Sequence, residues 1–158
     1  MSVVGLNNIG NTCFMNSALQ MILNCDDLND EILDSSCSGE IIDTYKNLIT
    51  QYRKGKSAIN PKDIKKVLAS KCNAFSGFSQ EDAHEFLILL LGRMEKEFRV
   101  DDKKDNTMGD ILDMKITIIV RSTESKRRSS HDEILTILPL DLPNKNVDVH
   151  LRECIEDY

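Results

Sequence analysis

Long apolar runs are missing from this chain: nothing approaches the roughly 20 consecutive apolar residues that a membrane-spanning helix needs. Residues 1 to 25 also lack the basic start and unbroken apolar stretch of a secretory leader. Together these absences predict a soluble, intracellular protein, cytoplasmic or nuclear, with no membrane partner. An excess of basic charge is missing as well. The net charge is -6 and the isoelectric point is near 5.1. Nucleic acid is therefore not an expected partner, because affinity for it comes mainly from Lys and Arg neutralising phosphates. Paired cysteines are absent too. The five cysteines, at positions 13, 25, 37, 72 and 154, are odd in number and form no C-x-x-C pair. Neither a disulfide framework nor a zinc site can be read from them, so free thiols in a reducing compartment, with no metal and no cofactor, are the expectation. There is no internal repeat and no low-complexity tract.

What is present suits a folded domain: 158 residues, of which 41% are apolar and 29% charged, can bury a core. Phe14, Ala18, Leu19, Ile22 and Leu23 recur at helical spacing from Cys13 onward, and Asn11 or Thr12 stands where a cap would sit. The acidic residues from Asp26 to Asp34 carry no assigned element. Ile41, Ile42, Tyr45, Leu48, Ile49 and Tyr52 predict a second helix that Gly55 ends. Asn60 and Pro61 read as cap and first position of a short helix carrying Ile64, Val67 and Leu68. After a break at CNAFSGFS, Ser79 opens SQED like a capping box. The stripe Ala83, Phe86, Leu87, Leu90, Leu91, Met94 and Phe98 follows, and with Ile88 and Leu89 also apolar this helix is expected to be covered on more than one side.

Beyond DDKKDN the period shifts from 3.6 to 2. Met114, Ile116, Ile118 and Val120 predict one strand, and Leu138, Leu140 and Leu142 a second, with Pro139 and Pro143 placing the second at an edge. STESKRRSSHDE between them reads as an exposed connection, and Val149 to Tyr158 as a further helix. The predicted class is α+β, a single domain over 1–158 that is helical through about residue 98, with strands beginning about residue 108.

A thiol at a helix start feels the partial positive charge of unpaired N–H groups, which favours thiolate over thiol and makes Cys13 a candidate nucleophile. From position alone, a buried and inert cysteine reads as well. The neighbouring residues add a resemblance. GLNNIGNTCFMNSALQMIL, residues 5–23, resembles without gaps the cysteine box of the ubiquitin-specific proteases, and SQEDAHEFLILLL, residues 79–91, resembles the family's glutamine-rich box at the start of a long thumb helix.

The resemblance implies the front half of a papain-like cysteine protease catalytic domain, thumb first and then the first strands of fingers and palm. It implies a thiol-dependent deubiquitinase acting on ubiquitin and ubiquitinated proteins through an acyl-thioester at Cys13. It places the family's oxyanion-stabilising amide at Asn8, where such donors contribute about 3 kcal/mol; read from its surroundings, Asn8 is a turn residue of NNIGN. It matches Asp82 to the carboxylate that receives ubiquitin's basic C-terminal tail, although an acid there stabilises a helix start in any case. Gln80, with Glu81, would line the same cleft. His84 falls where the family carries a non-catalytic glutamine or histidine, and His131 and His150 read as surface residues.

Two departures temper the expected activity. Aligning ILTILPLDLP with the family's leucine-proline strand puts Ser122 and Ser125 where the first zinc-binding cysteine pair would stand, and hydroxyls do not replace thiolates on zinc. The chain also ends before the family's histidine and aspartate box, so it is expected by itself to hydrolyse little or nothing. The alternative is a non-catalytic ubiquitin-binding or interaction module derived from such a protease. Strands without their partners predict that amides after about residue 105 exchange much faster than those of 80–98. Equal protection in a hydrogen-exchange experiment would refute this.

Overall fold

The computed structural model describes residues 4–55, 57–98, 107–142 and 149–156. They divide into two units, one ending at Ile111 and the other beginning at Leu112.

The first unit is helical. Helix α1 (Cys13–Leu23) buries Phe14, Met15, Ala18, Leu19, Ile22 and Leu23, the face foreseen from their spacing. It is followed by a helix that the sequence reading did not assign, α2 (Asp26–Asp34). Its composition hides it, because only Leu28 and Ile32 form the apolar stripe, yet both are fully buried. Asp26 and Asp27 occupy its first turn, where the helix dipole favours negative charge. Helix α3 (Glu40–Lys54) buries Ile41, Ile42, Tyr45, Leu48 and Ile49 and ends at Gly55 in the left-handed region, φ 63°. Helix α4 (Lys62–Lys71) follows Pro61, and Asn60 Oδ1 accepts from Lys62 N at 3.1 Å.

The break at CNAFSGFS contains a 3₁₀ turn, Asn73–Ser76, with Phe75 buried. Helix α5 (Ala83–Phe98) then buries Phe86, Leu90, Leu91, Met94 and Phe98. It starts at Ala83, so Ser79 is not its cap. Its cover beyond that face is partial: Leu89 is half-buried, whereas Ile88 is 50% exposed. Helix α5 packs on α1 and α3, and α3 also packs on α2 and α4. A short α6 (Thr107–Leu112) closes this part, with Met108 buried.

Several helix ends are satisfied by side chains from other helices, which no local pattern announces. Asn29 of α2 donates its amide to the carbonyls of Ile22 (3.1 Å) and Leu23 (3.0 Å) at the end of α1, and its Oδ1 accepts from Tyr45 OH of α3 at 3.1 Å. All three groups are buried, and burial pushes the Tyr45 phenol up, so it stays a donor. Glu97, near the end of α5, accepts from the first amides of α3, Ile41 N at 3.1 Å and Ile42 N at 2.8 Å. Its carboxylate fills the space beside Gly39, where a Cβ would collide with it. Lys46 Nζ donates to the carbonyls of Ser35 and Cys37 between α2 and α3, at 2.7 and 3.0 Å.

The second unit contains a two-stranded antiparallel ribbon, β1 (Met114–Arg121) paired with β2 (Arg128–Leu135), and a short helix α7 (Leu151–Glu156). β1 is where the alternation put it. The second strand is not 138–142 but 128–135, drawn from the segment expected to be an exposed connection. The turn explains the shift. Ser122 N donates to Arg127 O at 2.9 Å, Ser125 N to Ser122 Oγ at 3.1 Å, and Lys126 takes φ 55°, closing the hairpin at Arg121 opposite Arg128. Polar pairs then hold the register. Asp132 accepts from Thr117 Oγ1 at 2.8 Å and pairs with Lys115 at 2.7 Å, and Lys115 and then Thr117 lower its carboxyl pKa. Leu138 to Leu142 lie outside regular structure, and Pro143 and Tyr158 lie outside the described residues.

Replacing Asn29 by Ala removes both carbonyl partners at the end of α1 and leaves the Tyr45 hydroxyl buried without an acceptor. The loss should be about 2–4 kcal/mol in urea unfolding. In Tyr45→Phe/Asn29→Ala the two losses should be less than additive.

Candidate functional site

The approach to Cys13 is anchored before it reaches the helix. Leu6 pairs with Ile59 in a single parallel bridge, with Asn7 N donating to Ile59 O at 2.8 Å and Ile59 N to Gly5 O at 2.9 Å. Helix α1 holds the same segment from its own face. Asn16 and Gln20, one turn apart, donate to the carbonyls of Leu6 (3.3 Å), Asn7 (3.1 Å) and Val4 (2.7 Å). Tyr52 OH of α3 donates in turn to Gln20 Oε1 at 3.1 Å. Neither motif points to this role for Asn16 and Gln20, although their i, i+4 spacing puts them on one side of α1.

Between this anchor and the helix lies the loop 8–12. Asn8 Oδ1 accepts three hydrogen bonds, from Gly10 N (3.1 Å), Thr12 N (3.2 Å) and Thr12 Oγ1 (3.2 Å). Thr12 Oγ1 also accepts from Ile9 N at 3.1 Å. The loop closes through two left-handed residues, Gly10 at φ 109° and Asn11 at φ 49°. Glycine adopts this region freely and asparagine more readily than most. Because two of the donors are backbone amides, the oxygen of Asn8 is identified, and its Nδ2 is left with no protein acceptor among the described residues. Thr12 precedes the first helical residue, but its hydroxyl is spent inside the loop and does not cap α1. The first turn of α1 is thus open where Cys13 is exposed.

Asp82 and Gln80 stand at the start of α5, the helix that packs on α1. Asp82 Oδ1 accepts from His84 N at 2.7 Å and Glu85 N at 2.9 Å, so Asp82, not Ser79, is the cap. These amides, Glu85 foremost, hold its carboxyl below the usual carboxylate range. Gln80 is exposed, three residues before the helix begins. His84 lies in the first helical turn and is exposed. His131 is on β2, its Nε2 3.1 Å from Glu133 Oε1.

Three phenyl rings join the two halves of the site. Phe14, next to Cys13, lies 5.8 Å from Phe86 of α5 edge to face and 5.9 Å from Phe75 in a stacked pair. Phe75 and Phe86 meet edge to face at 5.6 Å. The thiol and the capping carboxylate are therefore carried on elements that share one aromatic cluster.

Residues 4–150 match the family model described as ubiquitin carboxyl-terminal hydrolase. The chain belongs to that family. Its α+β composition is that of the N-terminal part of the family's papain-like catalytic region. The chain is 34% identical to ubiquitin carboxyl-terminal hydrolase 1 of Arabidopsis thaliana over 67% of its own length and 11% of that protein's. It is 36% identical to ubiquitin carboxyl-terminal hydrolase 19 of Rattus norvegicus over 63% of this chain and 8% of the relative. With ubiquitin carboxyl-terminal hydrolase 4 of Bos taurus it shares 30% identity over 83% of this chain and 15% of the relative. The chain spans only a small fraction of the length of these relatives.

Asp82 gives a pH prediction. Its folded pKa lies below the unfolded value of about 3.9, so its contribution is present above that value and is lost as pH falls through the folded pKa. Asp82→Ala should be less stable than the parent at pH 7 in urea titrations, and the gap should close below about pH 4. A gap independent of pH would show that the cap acts through shape and not charge.

Proposed function

We propose that this chain carries the nucleophile of a cysteine deubiquitinase that cleaves the peptide or isopeptide bond at the C-terminus of ubiquitin. The observation that carries the reading is the state of Asn8. Its side-chain oxygen is consumed by three donors of the loop, which leaves its amide nitrogen, among the described residues, as an open donor five residues before an exposed thiol.

In this reading Cys13 Sγ attacks the carbonyl carbon of ubiquitin's terminal residue. The negative charge that develops on the carbonyl oxygen is met by Asn8 Nδ2 and by the open amides of the first turn of α1. Collapse of the tetrahedral species expels the amine and leaves an acyl-thioester, which water cleaves in a second step. The imidazole that takes the thiol proton and protonates the leaving amine is assigned to none of His84, His131 or His150. On this reading it comes from outside this chain.

Asp82 would receive the basic tail of ubiquitin. One of its oxygens caps α5, the other is not engaged by the helix, and the lowered pKa keeps the group charged, so capping and recognition are compatible. Gln80 borders the same end of α5. A purely ubiquitin-binding module would require neither the exposed thiol nor the free amide.

The test is reaction with ubiquitin bearing a C-terminal thiol-reactive warhead, followed by intact mass. The parent chain should form a single adduct, Cys13→Ala none, and Asn8→Ala should react about 100-fold more slowly. An adduct that persists in Cys13→Ala, or a rate unaffected by Asn8→Ala, would overturn the assignment.

A further inference from the structure

We infer that Phe78 is a positioning residue for the nucleophile loop, steadied by Lys65, and that it determines how Asn8 and Cys13 are presented. The inference rests on the roles of Cys13 and Asn8 given above and adds residues that neither motif contains.

Phe78 is 72% exposed, so burial does not explain where its ring lies. The ring lies against Gly10, where an added Cβ would stand 2.9 Å from Cδ1. Its carbonyl accepts from Asn11 Nδ2 at 2.8 Å. Those contacts fall on Gly10 and Asn11, the two left-handed residues of the loop, whose conformation its sequence sustains least by itself. Gly10 N and Thr12 N, on either side of Asn11, are two of the three donors that fix Asn8 Oδ1. Lys65 of α4 places its ammonium 4.8 Å over the centre of the Phe78 ring and donates to Gly77 O at 3.0 Å.

A continuous path thus runs from α4 through Gly77 and Phe78 to the Gly10–Asn11 turn, and from there to the oxygen whose anchoring leaves the Asn8 amide open. Position 10 belongs to this path for two reasons: its φ of 109° disfavours any side chain, and the ring of Phe78 occupies the space a Cβ would need. Asn11 suits its position likewise, because it tolerates the left-handed region and supplies the donor that Phe78 O accepts. Phe78 touches none of the reacting atoms; it acts through the loop.

The experiment is residue-resolved amide exchange by NMR on the full chain, for the parent and for Phe78→Ala, Phe78→Tyr, Asn11→Asp and Lys65→Met. Asn11→Asp keeps tolerance of the left-handed region while losing the amide donor. Phe78→Ala and Asn11→Asp should speed exchange at Gly10 and Thr12 about tenfold, with Tyr45 and Ile49 of α3 unchanged. Phe78→Tyr should restore the parent rates, and Lys65→Met should give an increase of about threefold. In parallel, Phe78→Ala should slow the ubiquitin-warhead adduct at Cys13 more than it slows alkylation by iodoacetamide, which needs no oxyanion donor.

Unchanged exchange at Gly10 and Thr12 in Phe78→Ala would overturn the inference, even with a slower adduct, since Phe78 would then be a ubiquitin contact. A rise that includes α3 would overturn it too, by making Phe78 a general stabiliser. If the parent forms no Cys13 adduct while Gly10 and Thr12 still respond, the positioning stands and the functional reading fails.

Discussion

The meeting of Phe14, Phe75 and Phe86 is the contact on which the rest of the first unit's site depends. Each ring belongs to a different element, and each element carries one part of the site: α1 the thiol, the 3₁₀ turn the approach to Phe78, and α5 the capping carboxylate. Two of the pairs are edge to face and one is stacked, arrangements that fix orientation as well as distance. A simple greasy contact would allow α5 to slide or rotate against α1. Interlocked rings allow much less of that, so polar groups at the helix starts keep their relation without bonding to one another.

Around that cluster the polar architecture follows one pattern, in which helix ends are satisfied from elsewhere in the fold. α1 ends on Asn29 of α2, α3 begins on Glu97 of α5, and the loop between α2 and α3 is gathered by Lys46. α1 begins differently. Its cap residue turns its hydroxyl inward to the loop, and the open first turn that results is also where the exposed thiol of Cys13 stands. An unsatisfied helix start is a structural cost at most sites, and in the mechanism proposed above the one at Cys13 would meet the developing negative charge.

Much of this was legible in the residues. The apolar stripes of α1, α3, α4 and α5 and the alternation of β1 announced those elements, Gly55 marked the end of α3, and the two motifs led to Cys13, Asn8, Gln80 and Asp82. What escaped did so for identifiable reasons. α2 buries only two apolar side chains beneath an acidic surface, too few for a stripe to show. β2 is held by polar pairs across the ribbon, Asp132 with Lys115 and Thr117, so its pattern contains no alternation of apolar residues, while the alternating leucines at 138, 140 and 142 misled. The cap of α5 was placed three residues early because Ser79 imitates a capping box. The cross-helix caps could not have been found, since nothing in the surroundings of Asn29 or Glu97 names the amides and carbonyls they serve.

The pairing of Gly39 with Glu97 has a consequence for how this sequence can drift. Gly39 has an extended backbone, φ -179°, that any residue can adopt, so its restriction comes from occupied space and not from conformation. It also stands at the N-cap of α3, where Ser, Asp or Asn would ordinarily be favoured and would cap the helix locally. Glu97 has taken over that duty from a distance and in doing so has filled the room a local cap would need. The two solutions compete for one space: a side chain at 39 requires the Glu97 carboxylate to shorten or to swing off the amides it caps, and loss of the carboxylate at 97 leaves those amides to a cap at 39. Either change alone passes through a weaker helix start, so the two positions are coupled through one shared space.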